Sequence, residues 1–344
     1  MKQSASSQNL FSSQFSCSIL EASSIGNVAY ARLKNGEEGT VHGVFDKAIN
    51  ILLSGALVSL VPGSVQKGPL NVILRMPVGQ TRMSGLGVSV GDKVKVHGVA
   101  LELSDHILIL LGSARIYSFK QTFTVPILSN DEIEANKEVM RKTALLFGNM
   151  AGLGQLLAII PQETAKTPVK NLNIFASSAL RRIVRFEQAF CSEKRNPLKE
   201  SISELIGLGP GLTPSSDDML AGLVLLCVLY EKNSGCAQHA SRLAAKLVAE
   251  EAHGRTTLLS EEYLKQAALG RGNEQAMRLC TALLTESGKS VERETRRMLE
   301  IGESSGTDTV LGIVIGTTLC LSKKSSLVRG NSNEHKTDCK KIDL

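Results

Sequence analysis

The chain has 344 residues, of which 42% are hydrophobic and 21% are charged, and its mean hydropathy is +0.03. This composition is typical of a globular protein and excludes a fibrous or wholly disordered chain, and the length predicts two domains. The formal net charge is +6, but residues 323–344 alone contribute +3, because they hold six Lys or Arg and three Asp or Glu. With four Tyr, nine Phe and no Trp, little is available for base stacking, so we expect no nucleic-acid partner.

The terminal segments and the cysteines indicate the setting in which the chain works. Residues 1–20 are rich in Ser and Gln and lack a continuous apolar stretch, so we predict a disordered extension there and a disordered basic tail over residues 323–344. Seven Cys without a CxxC pair predict buried free thiols and a cytoplasmic protein. The longest apolar run, residues 219–230, falls short of the roughly 20 residues that a membrane span needs, so we expect no membrane partner.

Residues 21–128 consist of short runs rich in Val, Ile and Leu that are separated by Gly and Pro. This spacing predicts β-strands joined by tight turns, with one turn at Gly91 and Asp92. The predicted strand segments are residues 26–33, 39–45, 56–62, 71–78, 90–99 and 106–119. We therefore predict a β-rich, barrel-like first domain over residues 21–128.

Residues 129–322 have apolar residues at three-to-four spacing and many good helix formers, which predicts a mainly helical second domain. The predicted helical segments are residues 130–148, 176–190, 236–252, 258–269, 273–284 and 290–299. The predicted fold class is α+β: an N-terminal β-rich, barrel-like domain followed by a mainly α-helical domain.

The most informative motif is GLGPGLTPSSDDMLAG, residues 207–222. Its alternating glycines and two prolines exclude a regular helix or strand and predict a loop of fixed shape. Ser215 is the predicted N-cap of the next helix, and Asp217 and Asp218 are predicted to lie in its first turn. That helix has no polar face over residues 219–230, so its N-terminus must lie inside the protein or at the floor of a cleft.

The free N–H groups and the dipole of a buried helix N-terminus favour an anion such as phosphate. We therefore predict an anion-binding site in which Ser216, Asp217 and Asp218 are the catalytic candidates. The substrate-binding candidates in the same motif are Gly207, Gly209, Gly211, Thr213 and Ser215. In the alternative interpretation, the glycines only shape a connection and the aspartates cap their own helix. The loop contains no Lys, which excludes a Walker-type nucleotide site, and it lacks the third glycine of a dinucleotide fingerprint.

Two later motifs add candidates to this site. Residues 303–316, ESSGTDTVLGIVIG, repeat the design of the first motif, because Ser305, Asp308 and Gly312 align with Ser215, Asp218 and Gly222. Two such helix starts facing one pocket would bind an anion from two sides, although Ser-Gly-Thr-Asp is also a good capping sequence and the apolar run after it fits a helix or a strand. The candidates from these residues are Ser305, Gly306 and Asp308.

Residues 253–264, HGRTTLLSEEYL, place hydroxyl groups beside a fixed cation at a helix start. The substrate-binding candidates here are Arg255, Thr256, Thr257 and Ser260, and a capping arrangement with Glu261 is the alternative. In the first domain, His42 and Asn50 are possible site residues, although a single His is more often an ordinary core or surface residue. The six His lack partners at helical spacing, so we predict no metal and no cofactor.

These motifs together resemble the AllH-type family. The segment GLGPGLTPSSDDMLAGL is similar to the signature of that family, TTLLS and SSGTDTVLG are similar to its two later motifs, and VHGVFDKAIN is similar to its first. The family is implicated as one subunit of the oxamate carbamoyltransferase of anaerobic allantoin breakdown, which converts oxalurate and phosphate to oxamate and carbamoyl phosphate. Many members have Gly where this chain has Ser216, which predicts a different loop shape if that position needs a positive φ.

The resemblance implies a transferase subunit of purine catabolism that binds phosphate. Its implied partners are other carbamoyltransferase subunits and a small anionic substrate: carbamoyl phosphate or phosphate, and oxamate or oxalurate. Carbamoyl transfer forms a tetrahedral oxyanion and a departing nitrogen that needs a proton, for which Asp217 or Asp218 is a candidate if burial raises its pKa. Two alternatives stay open: a non-catalytic partner subunit with an anion-binding loop, and a small-molecule kinase with a PxxxGLGSSAA-type loop, which would bind ATP.

Overall fold

The computed structural model describes residues 18–34, 36–160, 171–235 and 237–334, with side chains to residue 322. The chain divides into two compact units, one up to Ser118 and one from Phe119. The sequence-based prediction placed this boundary at residue 128. Residues 119–128 contain no strand, their apolar side chains pack against the helical core, and the Leu128 N–H donates to the Leu284 carbonyl at 2.8 Å. These contacts explain why the segment belongs to the second unit.

The described part of the first unit is a β-barrel with one short helix. Its strands are β1 (Ser18–Gly26), β2 (Glu38–Phe45), β3 (Ala48–Leu53), β4 (Ala56–Pro62), β5 (Asn71–Arg75), β6 (Lys93–His97), β7 (Ala100–Leu103), β8 (Ile107–Leu110) and β9 (Arg115–Tyr117), and its helix is α1 (Asn27–Arg32). The sheet order is β5-β4-β3-β2-β6-β7-β8-β1-β9, and β1 also pairs with β5. That pairing closes eight strands into a barrel, so the predicted barrel-like domain is confirmed.

Alternation along the strands fills the barrel. In β6, Val94 and Val96 are buried whereas the residues between and beside them are exposed. The same period of two appears in β7, where Leu101 and Leu103 are fully buried. Because successive side chains of a strand point to opposite faces, one face supplies the apolar interior and the other meets solvent.

Two predictions for the first unit need correction and one is confirmed. Residues 26–33 were predicted to form a strand but contain helix α1, in which Ala29 is buried and its N–H donates to the Pro69 carbonyl at 2.9 Å. β1 begins at Ser18, so residues 18–20 of the predicted disordered extension belong to the barrel, and residues 1–17 lie outside the described residues. The predicted turn is present, because Gly91 has a φ of +92° and the Asp92 carboxylate accepts from the Ser89 N–H at 2.8 Å.

The second unit is helical. Its helices are α2 (Asn130–Phe147), α3 (Ile174–Ser192), α4 (Arg195–Leu205), α5 (Ser215–Ser234), α6 (His239–Glu251), α7 (Leu258–Ala268), α8 (Glu274–Thr285), α9 (Gly288–Leu299) and α10 (Ser305–Glu334). The six predicted helical segments fall on α2, α3, α6, α7, α8 and α9, and the ambiguous apolar run after Asp308 is helical. The predicted basic tail, residues 323–344, overlaps the end of α10, and its residues 335–344 lie outside the described residues.

Helices α5 and α10 pack against each other at the centre of this unit. A Cβ on Gly222 would lie 2.3 Å from the Thr309 carbonyl oxygen, and one on Gly312 would lie 1.9 Å from the Met219 carbonyl oxygen. The two backbones therefore touch at these glycines. The α10 segment Ser305–Ser322 is long and apolar enough to cross a membrane by length and composition, but 78% of it is buried inside the protein, and this central position explains its apolar character.

Candidate functional site

The N-termini of α5 and α10 lie side by side. The hydroxyl oxygens of Thr213 and Ser305 are 3.2 Å apart, so the loop before α5 contacts the first residue of α10. Further along, a Cβ on Gly316 would lie 3.0 Å from the Leu223 carbonyl oxygen, so the two helices run in the same direction. The prediction of two loop-to-helix starts of similar design is confirmed by this arrangement, and their joint binding of an anion stays a prediction.

The two helix starts are related by an internal two-fold repeat with a spacing of ninety residues, as from Asp218 to Asp308. Ser305 forms a hydrogen bond with Asp218, and Ser215 forms one with Asp308. The glycine contacts follow the same rule, because Gly222 meets Thr309 where Gly312 meets Met219. Each contact therefore has a counterpart in which the two helices exchange places.

The glycine-rich loop before α5 has the fixed shape that the sequence predicts. Gly207, Gly209 and Gly211 have φ values of +80°, +125° and +94°, a region that favours glycine. A Cβ on Gly207 would also lie 2.7 Å from the Arg255 carbonyl oxygen. Pro214, not the predicted Ser215, occupies the N-cap of α5, and Ser215 is the first helical residue.

Ser216 holds this loop from inside. It is fully buried, its hydroxyl donates to the Leu205 carbonyl at 2.5 Å, and it accepts from the Leu208 N–H at 3.0 Å. Its φ is not positive, so this chain needs no glycine at the position, and the expected difference from family members that have Gly there stays a prediction. The hydroxyl is engaged by loop backbone, and its predicted catalytic role stays a prediction.

Asp217 ties the loop to α7. Its carboxylate accepts from the Gly207 N–H at 2.8 Å, from the Ser260 hydroxyl at 2.7 Å and from the Thr256 hydroxyl. Burial raises the pKa of Asp217, and these three hydrogen bonds oppose that rise. The first-turn position predicted for Asp217 and Asp218 is confirmed. Both carboxylate oxygens of Asp217, however, accept hydrogen bonds from other groups of the protein.

The start of α7 is bound to the same loop. Thr257 is its N-cap, accepting from the Ser260 N–H at 3.1 Å, and its hydroxyl donates to the Leu212 carbonyl at 2.5 Å. Thr257 therefore caps α7, but Glu261 takes no part in this cap, because its carboxylate accepts from the Gly254 N–H at 3.2 Å. Arg255 is exposed and its guanidinium lies 3.5 Å from the Glu251 carboxylate. Its predicted role as a substrate cation stays a prediction.

Both carboxyl oxygens of Asp308 have hydrogen-bond partners. Its carboxylate accepts from the Leu153 N–H at 2.6 Å and from the Ser304 hydroxyl at 2.9 Å, besides the bond with Ser215. Burial raises its pKa to about 6. The neighbouring Gly306 is a packing residue, because a Cβ there would lie 2.0 Å from the Met298 carbonyl oxygen.

Asp218 differs from its counterpart Asp308 in the hydrogen bonding of its carboxyl oxygens. The residue as a whole is partly exposed, but its Oδ2 atom is buried and has no hydrogen-bond partner in the part of the chain that the structure describes. Burial raises the pKa of Asp218 well above its ordinary value; hydroxyls of Ser305 and Thr213 oppose the rise, and the charges of Asp308 and Asp217 add to it. Burial therefore favours the protonated form of this carboxyl, and one of its oxygens has no partner among the described residues.

Tyr263, which the sequence analysis did not single out, lies within range of the charge of Asp218. It lies one turn after Ser260 in α7, and residues three apart share a helix face. Burial, followed by the charge of Asp218, raises the pKa of Tyr263 to about 12. The sequence feature that could have indicated Tyr263 is its helical spacing from Thr256 and Ser260 in the same motif.

The two candidates from the first unit, His42 and Asn50, are not among the residues that meet at the starts of α5 and α10, all of which belong to the second unit. His42 is exposed on β2, at an irregularity in the pairing of β2 with β3. Asn50 is buried on β3, and its Oδ1 accepts from the Ser59 hydroxyl at 2.8 Å. Among the residues that the structure describes, no group of three or more His, Cys, Asp or Glu side chains is arranged to hold a metal ion.

Two family models match the chain. The family model described as oxamate carbamoyltransferase subunit AllH matches residues 205–317, which include the glycine-rich loop, the α7 start and both paired aspartates. The model of the AllH family N-terminal domain matches residues 21–116, the barrel. No solved structure matches the chain. Matches to both family models, covering most of the chain, show that it belongs to the AllH family of oxamate carbamoyltransferase subunits.

Proposed function

We propose that the paired N-termini of α5 and α10 form the site at which a carbamoyl group passes between oxamate and phosphate. The observation that carries this proposal is the buried, unpartnered Oδ2 of Asp218. At the equivalent place, Asp308 is satisfied by the Leu153 N–H and the Ser304 hydroxyl. The counterpart of Ser304 in the repeat is Pro214, which has no side-chain donor. A substrate group is therefore the expected partner of Asp218.

An anionic substrate suits this place. Two helix N-termini point to one location, and the positive ends of their dipoles favour phosphate or a carboxylate. The hydroxyls of Thr213 and Ser305 lie at the same location and are 3.2 Å apart. Oxalurate, oxamate and carbamoyl phosphate are all small anions, which fits a site built from N–H and hydroxyl donors.

Asp218 is the proton donor in this proposal. In the direction of oxalurate breakdown, a phosphate oxygen attacks the carbamoyl carbon and forms a C–O bond. The C–N bond then breaks, and the oxamate nitrogen takes the proton of Asp218, which leaves carbamoyl phosphate, oxamate and an ionised Asp218. In the other direction, the ionised carboxylate accepts the proton as the oxamate nitrogen attacks carbamoyl phosphate. Burial raises the pKa of Asp218, which favours the protonated form that a proton donor requires.

Other subunits belong to this enzyme, because the family is that of a carbamoyltransferase subunit. We propose that they supply the remaining substrate contacts and that the complex acts on soluble ureides in the cytoplasm, without a cofactor held by this chain. A non-catalytic partner subunit is the second candidate function. It is favoured by exposed apolar side chains beside the loop that covers Asp308, namely Leu146, Phe147 and Ile174.

One assay separates the two candidates. The chain is combined with its co-purifying subunits, carbamoyl phosphate and oxamate are added, and phosphate release and oxalurate formation are followed. Asp218→Asn is expected to lower the rate by about 100-fold or more, the usual contribution of a general acid. Asp131→Asn is the matched control, because Asp131 is an exposed carboxylate in the first turn of α2.

Equal rates for the two variants in an active complex would leave this chain as a non-catalytic subunit. If the folded chain neither binds phosphate nor supports any activity with its partners, the carbamoyltransferase proposal is wrong.

A further inference from the structure

We infer that the group facing Oδ2 of Asp218 is an amide N–H of the substrate, and that Asp218 thereby makes the site specific for carboxamides over carboxylates. This inference rests on the proposed function and adds to it the contact by which oxamate is recognised. The observations that carry it are the contacts of Asp308, which occupies the equivalent position in the internal repeat and has its partners within the protein.

The repeat makes Asp308 a direct comparison for Asp218. These two residues are the fourth residues of α10 and α5. The close contacts of Gly222 and Gly312 with the facing helix exchange under the same two-fold relation. A group that binds one carboxyl therefore shows what kind of group suits the other.

A peptide amide fills the place beside Asp308. The Leu153 N–H donates to its Oδ1 at 2.6 Å, and the Ser304 hydroxyl donates to its Oδ2 at 2.9 Å. A Cβ on Gly152 would lie 2.6 Å from Oδ1 and 2.7 Å from the Ser215 hydroxyl oxygen. The peptide group between Gly152 and Leu153 therefore lies directly against the carboxyl, and both contacts at the carboxyl oxygens are made by hydrogen-bond donors.

Oδ2 of Asp218 receives no such donor from the described residues. Pro214 stands where the repeat has Ser304, and it has neither an N–H nor a side-chain donor. Because the Oδ2 atom is buried, a donor from a ligand is needed to satisfy it. Oxamate and oxalurate each carry an N–H next to a carbonyl, which is the same grouping as the peptide beside Asp308.

The same contact discriminates against a carboxylate. Oxalate has nearly the size of oxamate but carries an oxygen in place of the NH₂ group, so it has no hydrogen to donate to Oδ2 of Asp218. An ionised Asp218 would also repel it. A site that binds a ligand N–H rejects the analogue without it, because a buried polar atom is then left unpaired.

Ligand binding to the complex of this chain with its partner subunits tests the inference without turnover. Oxamate and oxalate are titrated separately, in the absence of phosphate and carbamoyl phosphate. We expect the wild type to bind oxamate about 100-fold more tightly than oxalate. In Asp218→Asn the side-chain amide can donate to an oxalate oxygen, so the two affinities should become nearly equal. Asp131→Asn changes an exposed carboxylate in the first turn of α2 and should keep the wild-type ratio.

The bound oxamate gives a second measurement. In NMR spectra of ¹⁵N-labelled oxamate, the amide proton that donates to Asp218 should move downfield on binding to the wild-type complex, because a hydrogen bond to a carboxyl oxygen deshields it. This shift should be lost in Asp218→Asn and kept in Asp131→Asn.

The outcomes are distinct. If Asp218→Asn keeps the wild-type preference for oxamate while it loses turnover, the specificity role is wrong and the proposed function stands. Equal binding of oxamate and oxalate by the wild type would also overturn the inference, as would an unshifted amide proton in bound oxamate. If no combination of subunits binds oxamate or forms oxalurate, both proposals are wrong.

Discussion

Asp218 and Asp308 occupy equivalent positions in the first turns of α5 and α10, and each carboxyl forms a hydrogen bond with a serine of the other helix. The two carboxyl groups differ in the hydrogen bonding of their other oxygen atoms. Asp308 is covered by the loop that ends at Leu153, whereas Oδ2 of Asp218 has no partner in the described part of the chain. One carboxyl of the pair is therefore hydrogen-bonded at both oxygens, and the other keeps an oxygen without a partner among the described residues.

The stability of the protein should depend on pH through Asp308. Its pKa is about 6 in the folded chain, above the ordinary 3.8, so the folded state binds this proton more tightly than the unfolded state does. The resulting stabilisation is complete below pH 4 and is lost as the pH rises through 6; two units of pKa correspond to about 3 kcal/mol. Urea unfolding between pH 4 and pH 8 should show a flatter profile for Asp308→Asn than for the wild type. Parallel profiles would contradict this assignment.

Asp218→Asn should make the folded chain more stable above neutral pH while it removes activity. An ionised carboxyl whose Oδ2 is buried without a partner destabilises the fold, and a neutral amide of the same size avoids that cost. Thermal unfolding at pH 8 and at lower pH values measures the effect, which should shrink as the pH falls and the wild-type carboxyl takes up a proton. A variant less stable than wild type at pH 8 would show that the carboxylate is needed structurally.

The contact between α5 and α10 should tolerate no Cβ at its glycines. Gly312→Ala would place a Cβ 1.9 Å from the Met219 carbonyl oxygen and Gly222→Ala one 2.3 Å from the Thr309 carbonyl oxygen, so the helices must move apart. We expect each change to lower the free energy of unfolding by about 3 kcal/mol, despite the better helix propensity of Ala. Gly288→Ala, at the start of α9, meets its nearest atom at 3.4 Å and should be neutral or stabilising. Equal effects of all three would refute this packing account.

Ser260→Ala should loosen the glycine-rich loop. It removes a hydrogen bond from the buried Asp217, which costs about 1–3 kcal/mol, and it weakens the link between α5 and α7. Hydrogen exchange at the Gly207 amide, which donates to the same carboxylate, should become faster. Ser287→Ala is the control, because Ser287 is an N-cap whose side chain makes no capping bond. Unchanged exchange at Gly207 would mean that the loop is held without Ser260.

The sequence was sufficient for the architecture and for the two helix starts, because both depend on local patterns. Short runs rich in Val, Ile and Leu between Gly and Pro predicted the β-rich, barrel-like domain, and three-to-four spacing predicted the helices. The repeat of Ser215 and Asp218 at Ser305 and Asp308 predicted the paired helix starts. The short α1 was missed because its Val and Tyr occur among strand-like neighbours, whereas its contact with Pro69 lies about forty residues away.

The sequence could not show which partner each residue of the site contacts. Ser216, Asp217 and Asp218 are adjacent and chemically similar, and only their partners distinguish them. Ser216 contacts loop backbone, Asp217 contacts α7, and Asp218 faces α10. Those partners are set by how helices pack. Tyr263 was missed for the same reason, since its nearness to Asp218 depends on how α7 lies against α5.

Substrate protection in hydrogen–deuterium exchange tests the location of the site most directly. The complex of this chain with its partner subunits is measured with and without oxamate and phosphate. The account predicts slower exchange at residues 207–218 and 304–309, the paired starts of α5 and α10, and no change at the start of α6. An active complex in which substrate leaves both segments unchanged and protects residues elsewhere would contradict the assignment of carbamoyl transfer to Asp218.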